Sequence, residues 1–368
     1  MKTGSESTAP TVARNAAVVV AVIVTGAALY WLRGILTPLA MAIFLLIMID
    51  GLTRFMAART PLPERAALPV SLVLIVLALA ASTWVIVDGM AGFISQAATL
   101  GPRLDAVIAD VARILNIQVA PTAKELIGQI NVGPYVGKAA AVAQQALSGF
   151  FFVLVYLGFL IASRRGFRKK IVALFPTKED RGEAMEVFTR IRDGIEGYLW
   201  VQTVTGLMIA VAAWIVMAAV GLENGLFWAF VIFIVCYIPV IGGAVAGLAP
   251  PLFALVQFDT YGPAIILLVG LQLILFVVSN LIQPRMQGKN ANIDAVVVLL
   301  ALAFWGALWG VTGMFLSTPL AVMAMAILAE FPGSRWIAVL LSGDGEPYPE
   351  RGGGRAEAPE KPAPRKKT

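Results

Sequence analysis

The sequence predicts an all-α polytopic membrane protein with about six full spans plus two broken-helix or re-entrant hairpin segments. Three observations predict it. Hydrophobic residues make up 59% of the chain and charged ones 14%, whereas a soluble domain carries about 25% charged residues. Several uncharged apolar runs exceed the roughly 18 residues that mark a bilayer-spanning helix. Two more apolar runs, 225–256 and 295–329, are too long for one crossing and carry prolines and glycines near their middle. A straight helix over the second would be about 50 Å long, against a hydrocarbon core of about 30 Å.

Taken in order, residues 1–14 are a short N-terminal segment, and 15–88 hold the first three spans, at roughly 15–32, 35–53 and 68–87. The stretch from Ala16 to Leu32 outruns a signal-peptide core and lacks a small-residue cleavage site after it, so it reads as a retained span. Pro38 falls in the first turn of the second span, where a missing N–H is harmless. Segment 89–145 carries Leu104, Val107, Ile108, Val111, Ile114 and Leu115 at helical spacing. It predicts an exoplasmic amphipathic helix, lying on the membrane surface or against another subunit, or a soluble cap packed on the spans. Residues 146–163 form the fourth span. Residues 164–197 form a charged cytoplasmic helix, with Thr177 as its cap and Glu179 and Asp180 in its first turn. Residues 198–335 form a core with broken helices, and 336–368 a Pro-, Gly- and charge-rich tail too polar to fold.

Charge fixes the orientation. The stretch 164–192 has nine Lys and Arg, whereas the 57 residues 89–145 have four. The first is therefore cytoplasmic and the second exoplasmic, which puts both termini in the cytoplasm and the lipid bilayer around the rest.

Composition also excludes whole classes of chemistry. There is no histidine, and Cys236 is the single cysteine. Ser-His and Cys-His nucleophiles, histidine metal sites and disulfides are thereby removed, and no metal or cofactor is expected. Asp50 and Asp88 fall on opposite faces by this topology, which argues against a two-aspartate enzyme. No soluble basic module suggests nucleic acid as a partner, and no phosphate-binding loop suggests direct use of ATP.

Breakers mark the two long segments. The first has Pro239, Gly242, Gly243, Gly247, Pro250 and Pro251; the second has Gly306, Gly310, Gly313 and Pro319. Broken backbone at membrane depth is tolerated where protein or a water-filled cavity satisfies it, and transporters bind solutes there. At an offset of 68, Gly242 matches Gly310 and Pro251-Leu252 matches Pro319-Leu320, which hints at an internal repeat.

Between these segments lies SNLIQPRMQGKN, residues 279–290. Pro284 disfavours helix at Gln283, so the helix is expected to end or bend there. Asn280 and Gln283 share a face, and Arg285 and Lys289 add positive charge. The segment reads either as a gate or binding rim for an anionic or hydroxylated solute or as a loop whose charges only fix orientation. Asp294 begins the next apolar run, either as a helix cap or as a cation or proton site. One further expectation joins Asn280, Gln283, Arg285 and Asp294 in a single polar cluster, with Arg285 and Asp294 paired.

The stretches CYIPVIGGAVAGLAPPLFAL and NLIQPRMQGKNANIDAVVVLLALAFWGALWGVTGMFLSTPLAVMAMAIL, together with the span spacing and the charged inter-span helix, resemble the autoinducer-2 exporter family of PerM-like permeases over residues ~15–335. The resemblance implies an oligomeric inner-membrane permease. It implies links in some members to export of autoinducer-2 and in others to sodium/proton or related cation exchange. Where members commonly carry His-Pro after the second signature's Gly-Lys, this chain has Asp294-Ala295. The expected function is a secondary transporter, a permease or exporter, for a small polar solute such as a signalling molecule or metabolite. A Na+/H+ or other monovalent cation/proton antiporter using Asp294 is the alternative. A membrane scaffold, which has no need of two breaks at membrane depth, is a reading of a different class.

Overall fold

The computed structural model describes residues 9–60, 63–114, 148–163, 166, 170, 172–175, 177–287 and 293–347. Lys289 lies outside the described residues, as do positions 115–147, which include most of the 89–145 segment. Among the described residues every regular element is helical. Five helices are long and apolar enough to cross a membrane, so the chain is an all-α, multi-pass membrane protein.

Helices α1 (Ala9–Trp31) and α2 (Arg33–Arg59) follow each other almost without a loop. Because α2 starts at Arg33, Pro38 lies inside it rather than in its first turn. Helix α3 (Glu64–Ile114) is continuous over 51 residues. It carries the third span and the amphipathic stretch on one rod, with no break at position 88. Helix α4 (Ser148–Ser163) is the short fourth apolar helix.

Helix α5 (Lys178–Val220) likewise joins the charged helix expected within 164–197 to the fifth span without a break at position 197. Thr177 caps it as expected, its hydroxyl accepting the Asp180 N–H at 3.0 Å. Gly221 ends it in the left-handed conformation (φ 79°), with its own N–H on Ala218 and the Leu222 N–H on Met217.

The reversal at Gly221–Asn224 starts the first hairpin, α6 (Gly225–Val235) and α7 (Ile241–Gln257). Its two ends are stapled together: the Gln257 amide accepts the Glu223 N–H at 2.9 Å and donates to the Gly221 carbonyl at 3.1 Å. The chain therefore leaves the hairpin at the level where it entered. Helix α8 (Gly262–Val277) runs back, passes through one π turn (Val278–Ile282) and continues as α-helix to Gln287.

The second hairpin is α9 (Ala295–Glu330), whose arms 295–309 and 311–330 reverse at Gly310 (φ 64°, ψ −144°). Its ends also meet. Helix α10 (Arg335–Leu341) packs back along α9, the Asp294 N–H donates to the Leu341 carbonyl at 3.1 Å, and Ile293 bridges Ser342. Residues 336–341, assigned above to the disordered tail, are thus helical; the run is apolar rather than charged, and it buries Ala338 completely.

Contacts along α5 place the hairpin mouths at opposite ends of the molecule. Its far end, at Gly221, meets the mouth of the first hairpin. There Asn224 packs on Gly92 of α3, and the Tyr261 hydroxyl donates to Asp110. Its near end carries the ion pairs of Arg54 with Glu196 and Asp193, and of Arg190 with Glu330 at 2.7 Å at the mouth of the second hairpin. Thirty residues of α5 separate Arg190 from Val220, about 45 Å of helix.

The core is built from small and aliphatic residues in close contact. Ala213, Met217, Ile232, Ala254, Leu267 and Leu271 pack α5 to α8 together. Phe44, Leu199, Tyr237, Leu316 and Leu320 join α2, α5, the first hairpin's tip and the second arm of α9.

Candidate functional site

The first hairpin turns where Pro239 has no N–H to continue α6. The Val235 carbonyl accepts the Ile238 N–H instead, and the Ile241 N–H folds back to the Pro239 carbonyl at 2.7 Å. That two-residue closure holds Val240 at φ 64°, ψ −53°, the γ-turn of the strained hand. Gly242 then passes so close to α6 that a Cβ would lie 2.3 Å from the Val235 carbonyl oxygen. In the second hairpin a Cβ on Gly313 would lie 1.9 Å from the Trp305 carbonyl oxygen. Both tips therefore depend on one glycine pressed against the carbonyl of the opposing arm. Gly243 has open space around it, so unlike Gly242 and Gly313 it has no steric role.

The two hairpins meet. Tyr237, at the first tip, stacks on Phe315 of the second arm of α9, with centroids 4.8 Å apart. Against this junction α5 presents polar side chains in an apolar run. Tyr198, Gln202 and Thr205 share one face at i, i+4 and i+7 and are 6%, 8% and 1% exposed. Thr203 gives its single proton to the Leu199 carbonyl, so the Tyr237 hydroxyl donates to it, each at 2.6 Å. The Gln202 amide nitrogen donates to the Cys236 carbonyl at the hairpin tip. Its oxygen accepts from Gln283 Nε2 at 3.3 Å. From α9, Ser317 and Thr318 are buried against the same core; the Ser317 hydroxyl bonds the Met314 carbonyl, and Thr318 faces Tyr198.

Gln283 reaches this junction because of the π turn. Its N–H bonds the Val278 carbonyl, five residues back. The widened turn accommodates Pro284, so where the sequence predicts an end or a bend the helix continues through a π turn. Pro284 and Arg285 lie on the continuing helix, exposed. The exposed Asn280 bonds its own helix, at the Phe276 carbonyl.

Asp294 caps α9, its carboxylate accepting the Val296 N–H at 2.8 Å. No ion pair joins it to Arg285, so the polar cluster predicted at 280–294 does not assemble. Asn280 donates to a carbonyl of its own helix and Asp294 accepts from an N–H of its own, and only Gln283 enters the junction. Pro250 and Pro319 are buried inside α7 and α9. A Cβ on Gly247, one turn before the Pro250-Pro251 pair, would lie 2.9 Å from the Gln272 amide of α8.

Sequence reasoning missed Tyr198, Gln202, Thr203 and Tyr237. The signal available was a polar face at helical spacing at the start of an apolar run, where polar groups need partners. The junction itself is uncharged. Its nearest carboxylate, Glu196, lies six residues from Gln202 and is paired with Arg54. Among the described residues no group of His, Cys, Asp or Glu is arranged to hold a metal ion. Amide and hydroxyl groups at hairpin tips can bind and orient a polar solute, and they offer no activated nucleophile.

A family model described as "AI-2E family transporter" matches residues 19–333. "AI-2 transport protein TqsA" of Escherichia coli strain K12 is 34% identical over 160 residues, 44% of this chain and 46% of that protein. A protein of Haemophilus influenzae named "Putative transport protein" is 30% identical over 203 residues, 55% of this chain and 58% of that one. "Putative transport protein YhhT" of Escherichia coli strain K12 is 32% identical over 158 residues, 43% of this chain and 45% of that one. The chain thus spans about half the length of the relatives it matches.

Proposed function

The chain belongs to the AI-2E transporter family, and from that membership we propose that it is a secondary permease moving a small polar solute across the bacterial inner membrane. The observation that carries the reading is the junction itself. Two hairpins with mouths at opposite ends of the molecule meet at Tyr237 and Phe315, beside the polar face of α5. In this reading each hairpin is re-entrant: the first enters from the exoplasmic side and the second from the cytoplasm, with both chain termini cytoplasmic. Motion of either tip then opens the junction to one side, and the uncharged amides and hydroxyls hold the solute between openings. The solute class includes the AI-2 that the Escherichia coli relative is named for transporting. The protein works as a homo-oligomer in the bilayer, as the family resemblance implies.

The antiporter alternative is not favoured. Its candidate ion carrier, Asp294, is a helix cap at the mouth of the second hairpin rather than a member of the junction. Purified protein in liposomes loaded with polar hydroxylated solutes, AI-2 among them, decides between the two. Saturable solute efflux, reduced at least tenfold by Gln202→Ala, is expected. Sodium-driven proton movement in vesicles without solute, measured with an internal pH dye, is the result that replaces the permease with an exchanger.

A further inference from the structure

We propose that Gln202 is the latch of the first hairpin, and that the π turn of α8, through Gln283, holds the latch in its closed setting. The inference rests on the permease reading for its purpose, though not for its test. Hydrogen bonding fixes the direction of the chain of amides. A backbone carbonyl only accepts, so Gln202 must turn its nitrogen to Cys236; its oxygen then faces Gln283, which must donate. Each link needs the one before it, and Gln202 is 8% exposed, in a place where an unpaired amide is costly.

The two anchors differ in kind. Cys236 sits in the tip beside the strained Val240 turn, and Gln283 sits on a helix turn whose hydrogen bonds are shifted by one residue. A π turn that reverted to α would rotate Gln283 by about 100° about the helix axis and withdraw it from Gln202. The freed Gln202 then loses its orientation and holds the tip less firmly. Thr203, bonded to the Tyr237 hydroxyl at 2.6 Å, holds the same tip through a side chain rather than the backbone. It serves as the comparison position.

The molecule carries its own reporter. Cys236 is the sole cysteine of the sequence, and a thiol reacts as the thiolate, which needs water. Opening of the tip is therefore read as the rate of N-ethylmaleimide labelling of the full-length protein in lipid nanodiscs. Gln202→Met, close in shape and without hydrogen bonds, is expected to label roughly five- to tenfold faster than wild type, the equilibrium shift expected from losing one such bond. Gln202→Leu likewise removes the donor to Cys236, and is expected to match it. Gln283→Met is expected to give a smaller rise, because the link to the tip survives without its orienting partner. Thr203→Val is expected to give a smaller rise than either Gln202 variant, because the bond it removes holds a side chain that can turn while the Gln202 bond to the backbone of the tip stays in place.

A second probe separates release of the tip from loosening of the fold: Ala213→Cys in a Cys236→Ala background, since Ala213 is fully buried further along α5. Faster labelling at Cys236 with an unchanged rate at position 213 supports the latch. Unchanged labelling of Cys236 in both Gln202 variants overturns it, as does equal acceleration at the two positions. No solute is needed, so a latch that holds in a protein without flux leaves this inference standing while the permease reading fails, and the converse result separates them equally well.

Discussion

Val240 is a β-branched residue held at φ 64°, and its side chain is 67% exposed. Such a conformation costs on the order of 1–3 kcal/mol, and an exposed side chain returns little of it through packing. Val240→Gly is therefore expected to raise the thermal unfolding midpoint despite the entropy that glycine loses on folding. A lowered midpoint would mean that the valine side chain has packing partners outside the single chain. The neighbouring glycines divide sharply. Gly242→Ala and Gly313→Ala push a methyl into a backbone carbonyl that cannot move aside, and each is expected to cost about 2 kcal/mol or more. Gly243→Ala meets nothing within 4 Å and is expected to fall within about 0.5 kcal/mol of wild type. Unfolding midpoints of the three alanine variants in one detergent provide the comparison.

At the scale of elements, the hairpins were legible because length and breakers argue together. Neither 225–256 nor 295–329 fits a bilayer as one straight helix, and each turns at one of its breakers, Pro239 in the first and Gly310 in the second, while Pro250, Pro251 and Pro319 lie within the arms. The cap at Thr177 was legible from the residues immediately following it. The continuity of α8 through Pro284 was not. Proline forbids one hydrogen bond, but whether the chain ends or widens its turn depends on what the widened turn can reach, and here it delivers Gln283 to Gln202 across 81 positions of sequence. Similarly, Gln202 showed only as a polar residue in an apolar run, because its partner at Cys236 is a backbone carbonyl that the hairpin brings near. Pro284→Ala restores an N–H for the Asn280 carbonyl and makes ordinary α geometry available. In a Cys236→Ala background with Gln202→Cys and Gln283→Cys, a short bis-maleimide is expected to cross-link the pair less than half as efficiently once Pro284 is replaced. Equal yields would show that the proline does not maintain the π turn.

For the whole molecule, sidedness and anchoring are the testable properties. In a Cys236→Ala background, Glu186→Cys and Asp344→Cys are expected to react with an impermeant maleimide only from the cytoplasmic face, and Asp259→Cys only from outside. Labelling of position 344 from outside would remove the re-entrant second hairpin. The mouth of that hairpin is tied to α5 by Arg190 and Glu330, whose side chains are 25% and 17% exposed. Exposed pairs contribute little, and this half-buried one is expected to show a coupling of about 1 kcal/mol in a double-mutant cycle on the unfolding midpoint. That coupling should shrink as salt is raised. Additivity of the two single changes would leave the mouth held by packing alone. Nine basic residues in one stretch against four in the other are the basis of the orientation that this labelling tests; the continuity of α3 and α5 was not legible, because an apolar run and an amphipathic run can be joined by helix or by loop at equal cost in composition.

The two hairpins also differ in when they can be completed. Gln257 finds its partners 34 and 36 residues back, so the first hairpin closes almost as soon as the ribosome has made it. The tip of the second is held by the Trp309 indole, which donates to the Leu29 carbonyl across 280 positions. At roughly 5–20 residues per second of synthesis, the end of α1 waits roughly a quarter of a minute to a minute in the membrane before that partner exists. The first helix to be inserted is thus among the last to be fixed. For that interval the nascent protein holds a closed first hairpin inside an unfinished bundle, and a chaperone or insertase acting on this molecule meets it in that state.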